Sequence, residues 1–341
     1  MIDINNIKVC PGTLAPGYTT YSPKCIKELF DGKRVNHILS FPSPKTEGEQ
    51  KRLLLENRSR ISISGVQEKY SLKLNKKTLE LTDKGGDYIL KPIPSDLLHV
   101  NDVPANEHLT MQIAAQVFKL NTAKNALIFF ADGVPAYITK RFDVKKDRTR
   151  CLKEDFASIA GFTSTNKGKD FKYNFSYEGI AKLINAYIPA AIKAKEDLFK
   201  LVIFNYLFSN GDAHLKNFSR IDCKGEGDAF LAPAYDLVNT RLHIDDGDMA
   251  LHDGLYEKDY EHPSYATYGY YAYDDFYEFG LRIGLVQIRV KRMLQNFLEH
   301  SEQVILLTNQ GFLSDKMKIN YLKLYDDKRK RLSTSLQKII T

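Results

Sequence analysis

The run Asp197-Leu-Phe-Lys-Leu-Val-Ile-Phe-Asn-Tyr-Leu-Phe-Ser209 reads as one apolar helix, and the residues that end it constrain the fold more than any other feature. Directly behind it comes Asn210-Gly-Asp-Ala-His-Leu-Lys-Asn217, with an acid at Asp212 and an amide at Asn217, five positions on. Nineteen residues further, Ala234-Tyr-Asp-Leu237 supplies a second acid, Asp236. A helix that is apolar over most of its surface is buried, so it makes a rigid mount for the loop that follows. The fold must therefore hold two polar loops against a helical core, with carboxylate, amide and carboxylate in reach of one ligand.

In that order the three side chains match the layout by which kinase-type phosphotransferases hold a nucleotide. In such chemistry the protein positions groups and neutralises charge. Asp212 is the candidate base for an attacking hydroxyl; a plain helix-ending turn would explain Asn210-Gly211 but not Asp212, His214 and Asn217 together. Asn217 and Asp236 offer the hard oxygen ligands that magnesium prefers. Lys91 closes the strand-like run Asp87-Tyr-Ile-Leu-Lys91 ahead of Pro92 and is the candidate cation for ATP phosphates, with Glu107 as the acid that steers it. Ile61-Ser-Ile-Ser-Gly-Val-Gln-Glu-Lys69 has one glycine, Gly65, and is no G-x-G-x-x-G. Its hydroxyls, Ser62 and Ser64, and its backbone N–H groups could still cradle an anion. His214 either reaches the same phosphates or braces the loop.

The chain has 341 residues, room for two lobes that each bury a core. Tyr70–Leu74, Thr78–Thr82 and Asp87–Lys91 alternate as strands of an antiparallel meander within residues 60–92. Asn106–Leu120 repeats apolar residues at helical spacing, and 126–130 with 136–139 forms a hairpin turned at Gly133. Beyond about residue 154 the pattern is helical: Tyr177–Ile188, Asp197–Ser209, Ile283–Phe297 and a last segment carrying Met317, Tyr321, Leu324 and Tyr325. Strands first and helices after predict an α+β fold, with an N-terminal lobe over 1–139 and a helical lobe over 140–341. Residues 256–277 hold eight tyrosines, read as a packed surface insertion or a docking surface. Cys10, Cys25, Cys151 and Cys223 show no metal or redox spacing and are expected to be reduced thiols. Net charge is +7, mildly basic and consistent with phosphate or acidic partners. Neither a leader pattern nor a membrane span is evident, so a soluble, cytoplasmic protein is expected.

Ser62-Ile-Ser-Gly-Val-Gln-Glu-Lys69, Tyr88-Ile-Leu-Lys-Pro92, Asn210-Gly-Asp-Ala-His-Leu-Lys-Asn-Phe-Ser219 and Pro233-Ala-Tyr-Asp-Leu237 together resemble the HipA-like serine/threonine kinases, toxins of bacterial toxin–antitoxin systems. Pro104-Ala-Asn-Glu-His108 and Lys140-Arg-Phe-Asp143 fit as well. The resemblance runs in order over roughly residues 60–240. It implies a bilobal protein-kinase-like fold, ATP and Mg2+ as cofactors, Asp212 as base and Asn217 with Asp236 as metal ligands. It further implies a phosphate loop at 61–69, a catalytic loop at 210–219 and a metal-binding segment at 233–237. Lys91 and His214 would lie at the phosphates, and the backbone of Lys140 to Phe142 at the adenine. Ser62 would be autophosphorylated, and Ser64 would be a second such site. The short N-terminal region and the Ser-x-Ser pair are closest in layout to HipT of three-component systems. The implied partners are a HipB-like helix-turn-helix antitoxin, a small HipS-like antitoxin or both, with DNA reached only through the antitoxin. An aminoacyl-tRNA synthetase is the implied substrate. Small-molecule kinases of the aminoglycoside-phosphotransferase type share the Gly-Asp-x-His loop and form the main alternative; a non-catalytic scaffold is the other.

Overall fold

Alternation along two neighbouring strands decides where the first part of the chain goes. In the computed structural model, which describes residues 2, 4–44, 68–95, 97–145, 147–225, 227–257 and 260–336, Leu127, Phe129 and Tyr137 belong to the core shared with the helices. Their neighbours Ala126, Ile128, Ala136 and Ile138 point the other way, onto Cys10, Tyr21, Leu29 and Phe30. Successive strand residues face opposite sides, so the sheet is buried on both faces. The N-terminal segment covers the outer one. Its helix α1 (Pro23–Phe30) is capped by the Ser22 hydroxyl, which accepts from the Cys25 amide.

The sheet comprises β1 (Tyr70–Asn75), β2 (Thr78–Leu81), β3 (Tyr88–Lys91), β4 (Asn125–Phe129) and β5 (Pro135–Lys140) in the order β2-β1-β3-β5-β4, with every neighbouring pair antiparallel. Between β3 and β4 runs α2 (Val103–Gln116), buried on almost every face. It starts three residues before the expected Asn106, because Pro104 is a favourable first-turn residue.

The rest is helical: the short α3 (Phe156–Ile159) and α4 (Ser164–Lys167) lead into α5 (Tyr177–Tyr187) and α6 (Ala191–Leu207), and α9 (Gln287–Glu299), α10 (Ser301–Gln310) and α11 (Asp315–Leu332) close the chain's helical part. Helix α6 begins six residues before the expected Asp197, since its first turns are charged and carry little apolar signal. A second sheet was not expected: β6 (Leu152–Asp155), β7 (Ser219–Asp222) and β8 (Phe230–Leu231) pair antiparallel in that order. Its register corrects the expectation of four reduced thiols. Leu152 faces Asp222, so Cys151 and Cys223 meet one step on, 4.4 Å apart at Cα, and form a disulfide. Cys10 and Cys25 remain free and buried. The tyrosine-rich segment is no mere surface insertion: α7 (Pro263–Tyr268) lies within it and α8 (Tyr273–Arg282) begins in it, and Tyr256 and Phe276 enter the core. No helix among the described residues is long and apolar enough to cross a membrane.

Candidate active site

Strand β3 ends at Lys91 where the chain must leave the sheet, and the second turn of α2 carries Glu107, sixteen residues on. Both side chains are buried, and Lys91 Nζ donates to Glu107 Oε1 at 2.6 Å. The same nitrogen donates to Asp236 Oδ1 at 2.5 Å. Burial opposes the lysine's charge, yet the two carboxylates outweigh it and hold Lys91 above its ordinary value. Burial pushes Glu107 up despite the adjacent amine. Burial also acts against Asp236, but Lys69 and Lys91 overcome it and hold that carboxyl below its usual range. The Lys69 ammonium stands 3.8 Å from Asp236.

Asp236 has φ of 56°, a left-handed backbone that is uncommon outside glycine and that aspartate tolerates better than most residues. Here Asn210 Nδ2 donates to its carbonyl at 3.4 Å, and Asn217 Nδ2 approaches its Oδ2 at 3.4 Å. Asn217 is itself fixed, its Oδ1 accepting from the His214 amide at 3.1 Å. Asp212 lies across the same cleft, with Tyr173 Oη donating to its Oδ1 at 2.6 Å. His214 Nε2 is 3.7 Å from that oxygen. Burial lowers His214 to about 4, so its ring is neutral at pH 7. At Gly211 the loop passes close to Asp246: a Cβ there would lie 2.4 Å from that carboxyl carbon, so the Asp246 side chain would have to move. The cavity among Lys69, Lys91, Asp212, His214, Asn217 and Asp236 measures about 310 Å³.

The structure thus brings Lys91, Glu107, Asp212, His214, Asn217 and Asp236 to one cleft. Ser62, Ser64 and Gly65 lie outside the described residues. Lys140 points away, its amine on Asp31 at 2.6 Å. The amides of Lys140 and Arg141 donate to Lys124 and Asp87 carbonyls. Phe142 instead packs against Tyr235, ring centroids 5.4 Å apart, and Lys153 Nζ sits 4.4 Å from the Tyr235 ring centre. Burial lowers the Lys153 amine. Tyr235 hydrogen bonds to the Lys216 carbonyl at 2.7 Å.

Sequence reasoning missed Tyr173, Lys153 and the role of Asn106. The Asn106 amide is fully buried and spans the gap from α2 to the segment behind Asp236. Its Nδ2 donates to the Asn239 carbonyl at 2.8 Å, and its Oδ1 accepts from the Asn239 amide at 3.1 Å. His243 Nε2 lies 2.9 Å from the same Nδ2, and His243 Nδ1 2.8 Å from the Leu98 carbonyl. Burial lowers His243, consistent with a neutral ring that donates through Nδ1. Asn106 stood in Pro104-Ala-Asn-Glu-His108, but only a buried-amide argument would have singled it out.

A model of the HipA-like C-terminal domain family matches residues 61–305. A Haemophilus influenzae protein provisionally named a kinase is 28% identical over 335 residues, 92% of each chain. The serine/threonine-protein kinase toxin HipA of Shewanella oneidensis is 26% identical over 207 residues, 56% of this chain and 46% of that one. Among solved structures, a chain of the Shewanella oneidensis complex of HipA, HipB and operator DNA aligns with a TM-score of 0.60 at 21% identity, over 85% of this chain and 72% of that one. The Helicobacter pylori proinflammatory kinase CtkA aligns with a TM-score of 0.50 at 14% identity, over 77% and 93%. At these identities the structural likeness speaks to the fold, an α+β bilobal kinase-like one.

Proposed function

Because the chain belongs to the family of HipA-like C-terminal domains, whose named relatives are kinases, we propose that it is an ATP-dependent serine/threonine protein kinase acting as the toxin of a toxin–antitoxin pair. The observation that carries this reading is the meeting of Lys91, Asn217 and Asp236 with Asp212 across one cleft, from segments up to 145 residues apart.

In this reading Asp212 accepts the proton of the attacking hydroxyl. Lys91, held by Glu107, faces the nucleotide phosphates. The donor set suits magnesium: Asn217 Oδ1 and the Asp236 carboxylate are hard oxygens, and phosphates and water complete such a shell. Magnesium, when bound, neutralises charge on the phosphate oxygens. The hinge backbone at Phe142 is the proposed contact for the adenine, the Lys140 and Arg141 amides being taken by the Lys124 and Asp87 carbonyls. Ser62 and Ser64 are the autophosphorylation sites of the reading. The Shewanella complex supports a HipB-like antitoxin as partner, with DNA reached through it; a HipS-like protein is the second candidate. An aminoacyl-tRNA synthetase is the proposed substrate, met in the cytoplasm.

Mass spectrometry after incubation with Mg-ATP tests this. Phosphate on Ser62 or Ser64 in the wild-type chain and none in Asp212→Asn is the expected result. A chain that transfers phosphate to aminoglycoside-like alcohols and to no protein would overturn it in favour of a small-molecule kinase.

A further inference from the structure

Tyr173 has no place among the groups named so far except as the partner of Asp212, and its surroundings are unusual for a loop residue. Its main chain is tied on both sides. The Tyr173 amide donates to the Asp170 carbonyl at 2.8 Å, and its carbonyl accepts from the His252 amide at 2.9 Å. The preceding carbonyl, of Lys172, accepts from the Leu215 amide inside the catalytic loop at 3.1 Å. The ring stacks on His252, with centroids 5.8 Å apart and planes 23° off parallel, and meets His214 edge-on at 5.2 Å. A tyrosine fastened at backbone and ring can aim its hydroxyl at one atom. That atom is Asp212 Oδ1, at 2.6 Å.

We propose that Tyr173 is a positioning residue for phosphoryl transfer: by donating to Asp212 Oδ1 it turns Oδ2 toward the acceptor hydroxyl. This rests on the kinase reading of the cleft. Asp212 is half exposed on the cleft side, and among the described residues no group donates to Oδ2. A hydrogen bond to an ionised carboxylate is charge-assisted and directional, so one strong donor fixes the rotation of the carboxylate plane. Burial and the adjacent carboxylate raise the Tyr173 phenol above its ordinary value, which keeps it a donor throughout the working pH range.

The acceptor oxygen forms its bond to the γ-phosphorus of ATP while the bond from that phosphorus to the β,γ-bridging oxygen breaks. ADP leaves with that electron pair. The acceptor's proton passes to Asp212 Oδ2 and from there to solvent. Tyr173 keeps its own proton throughout, which separates it from the base. The same residue joins the catalytic loop to the segment around His252, so the aim of Asp212 depends on a stretch of chain 40 residues away.

Three variants decide the matter: Tyr173→Phe, Tyr173→Leu and Asp212→Asn, each measured for kcat, for KM of ATP and for Tm in the full chain. Tyr173→Phe keeps the ring between His214 and His252 and removes only the donor. The expected result is a fall in kcat of about 10- to 100-fold with KM for ATP and Tm within twofold and 2 °C, roughly, of wild type. Tyr173→Leu should lower both kcat and Tm. Full kcat in Tyr173→Phe, with Asp212→Asn inactive, would overturn the positioning role and leave the base assignment standing. A Tyr173→Phe chain that loses nucleotide affinity or Tm in step with kcat would make the residue structural. Full kcat in Asp212→Asn would remove the base assignment, and this inference with it, whereas no transfer by the wild-type chain would remove the kinase reading of the cleft.

Discussion

Lys91 and Glu107 form a buried pair whose two members differ in what their loss exposes. Taking away the amine strands a carboxylate in an apolar wall, so Lys91→Met should destabilise the fold by about 3–5 kcal/mol. Lys91→Met with Glu107→Gln removes the stranded charge as well and should recover most of that loss. Urea unfolding of the two variants checks this, and equal destabilisation would contradict it. A second prediction concerns protons. Burial lowers His214 and His108 to about 4 each from an ordinary 6.5. Between those values the unfolded chain takes up protons that the folded chain refuses. Stability should therefore be full above pH 6.5 and fall as the pH drops toward 4, by at most about 1.4 kcal/mol per pH unit for each histidine. Unfolding midpoints at pH 7, 6 and 5 measure the slope; His214→Gln should flatten it, and an unchanged slope in both His→Gln variants would refute the assignment.

Among the elements, α2 does most to place the site. It carries Glu107, grips the Asn239 backbone through Asn106, and bonds Thr110 to Tyr321 of the last long helix at 2.9 Å. Asn106→Ala leaves the Asn239 amide and His243 Nε2 without partners and should cost about 2–4 kcal/mol, with weakened nucleotide binding because the segment behind Asp236 loses its anchor. Calorimetric titration with ATP analogues measures the second effect. The small sheet offers another test. Its disulfide closes a loop across 72 residues of sequence, so reduction should destabilise the chain by about 4 kcal/mol on the chain-entropy account. Thiol titration before and after reductant, beside denaturant curves, would read both changes. These elements were unequally legible in the sequence. β1 to β3 follow one another with turn residues between, and local alternation suffices to see them. β6 to β8 have four, four and two residues, and β6 pairs with β7 across the intervening helices, so their order and the Cys151–Cys223 bond depend on tertiary register. Lys91 was legible at the end of a readable strand, Asp212 and Asn217 in the loop behind a readable helix, Asp236 by its spacing from them, and Glu107 as the acid nearest Lys91 on the next helix. Tyr173 stands in a loop without periodicity, and nothing local marks the carboxylate that it meets.

At the scale of the molecule, one continuous core runs from the inner face of the five-stranded sheet through α2 into the helices. The N-terminal segment seals the outer face. That continuity explains how a lysine from a strand and an aspartate 145 positions later meet at 2.5 Å: the sheet and helices are packed as one body around α2. It also places Tyr235 and Phe142 together where the first sheet hands over to the second. In the proposed function this body holds ATP and transfers its γ-phosphoryl group through Asp212. The most direct test is single-turnover transfer from labelled ATP, with nucleotide affinity measured in parallel, for wild type and Asp212→Asn. The account predicts nucleotide affinity within a few-fold of wild type and transfer slowed by about 10²- to 10⁴-fold. Transfer at the wild-type rate in Asp212→Asn would contradict it.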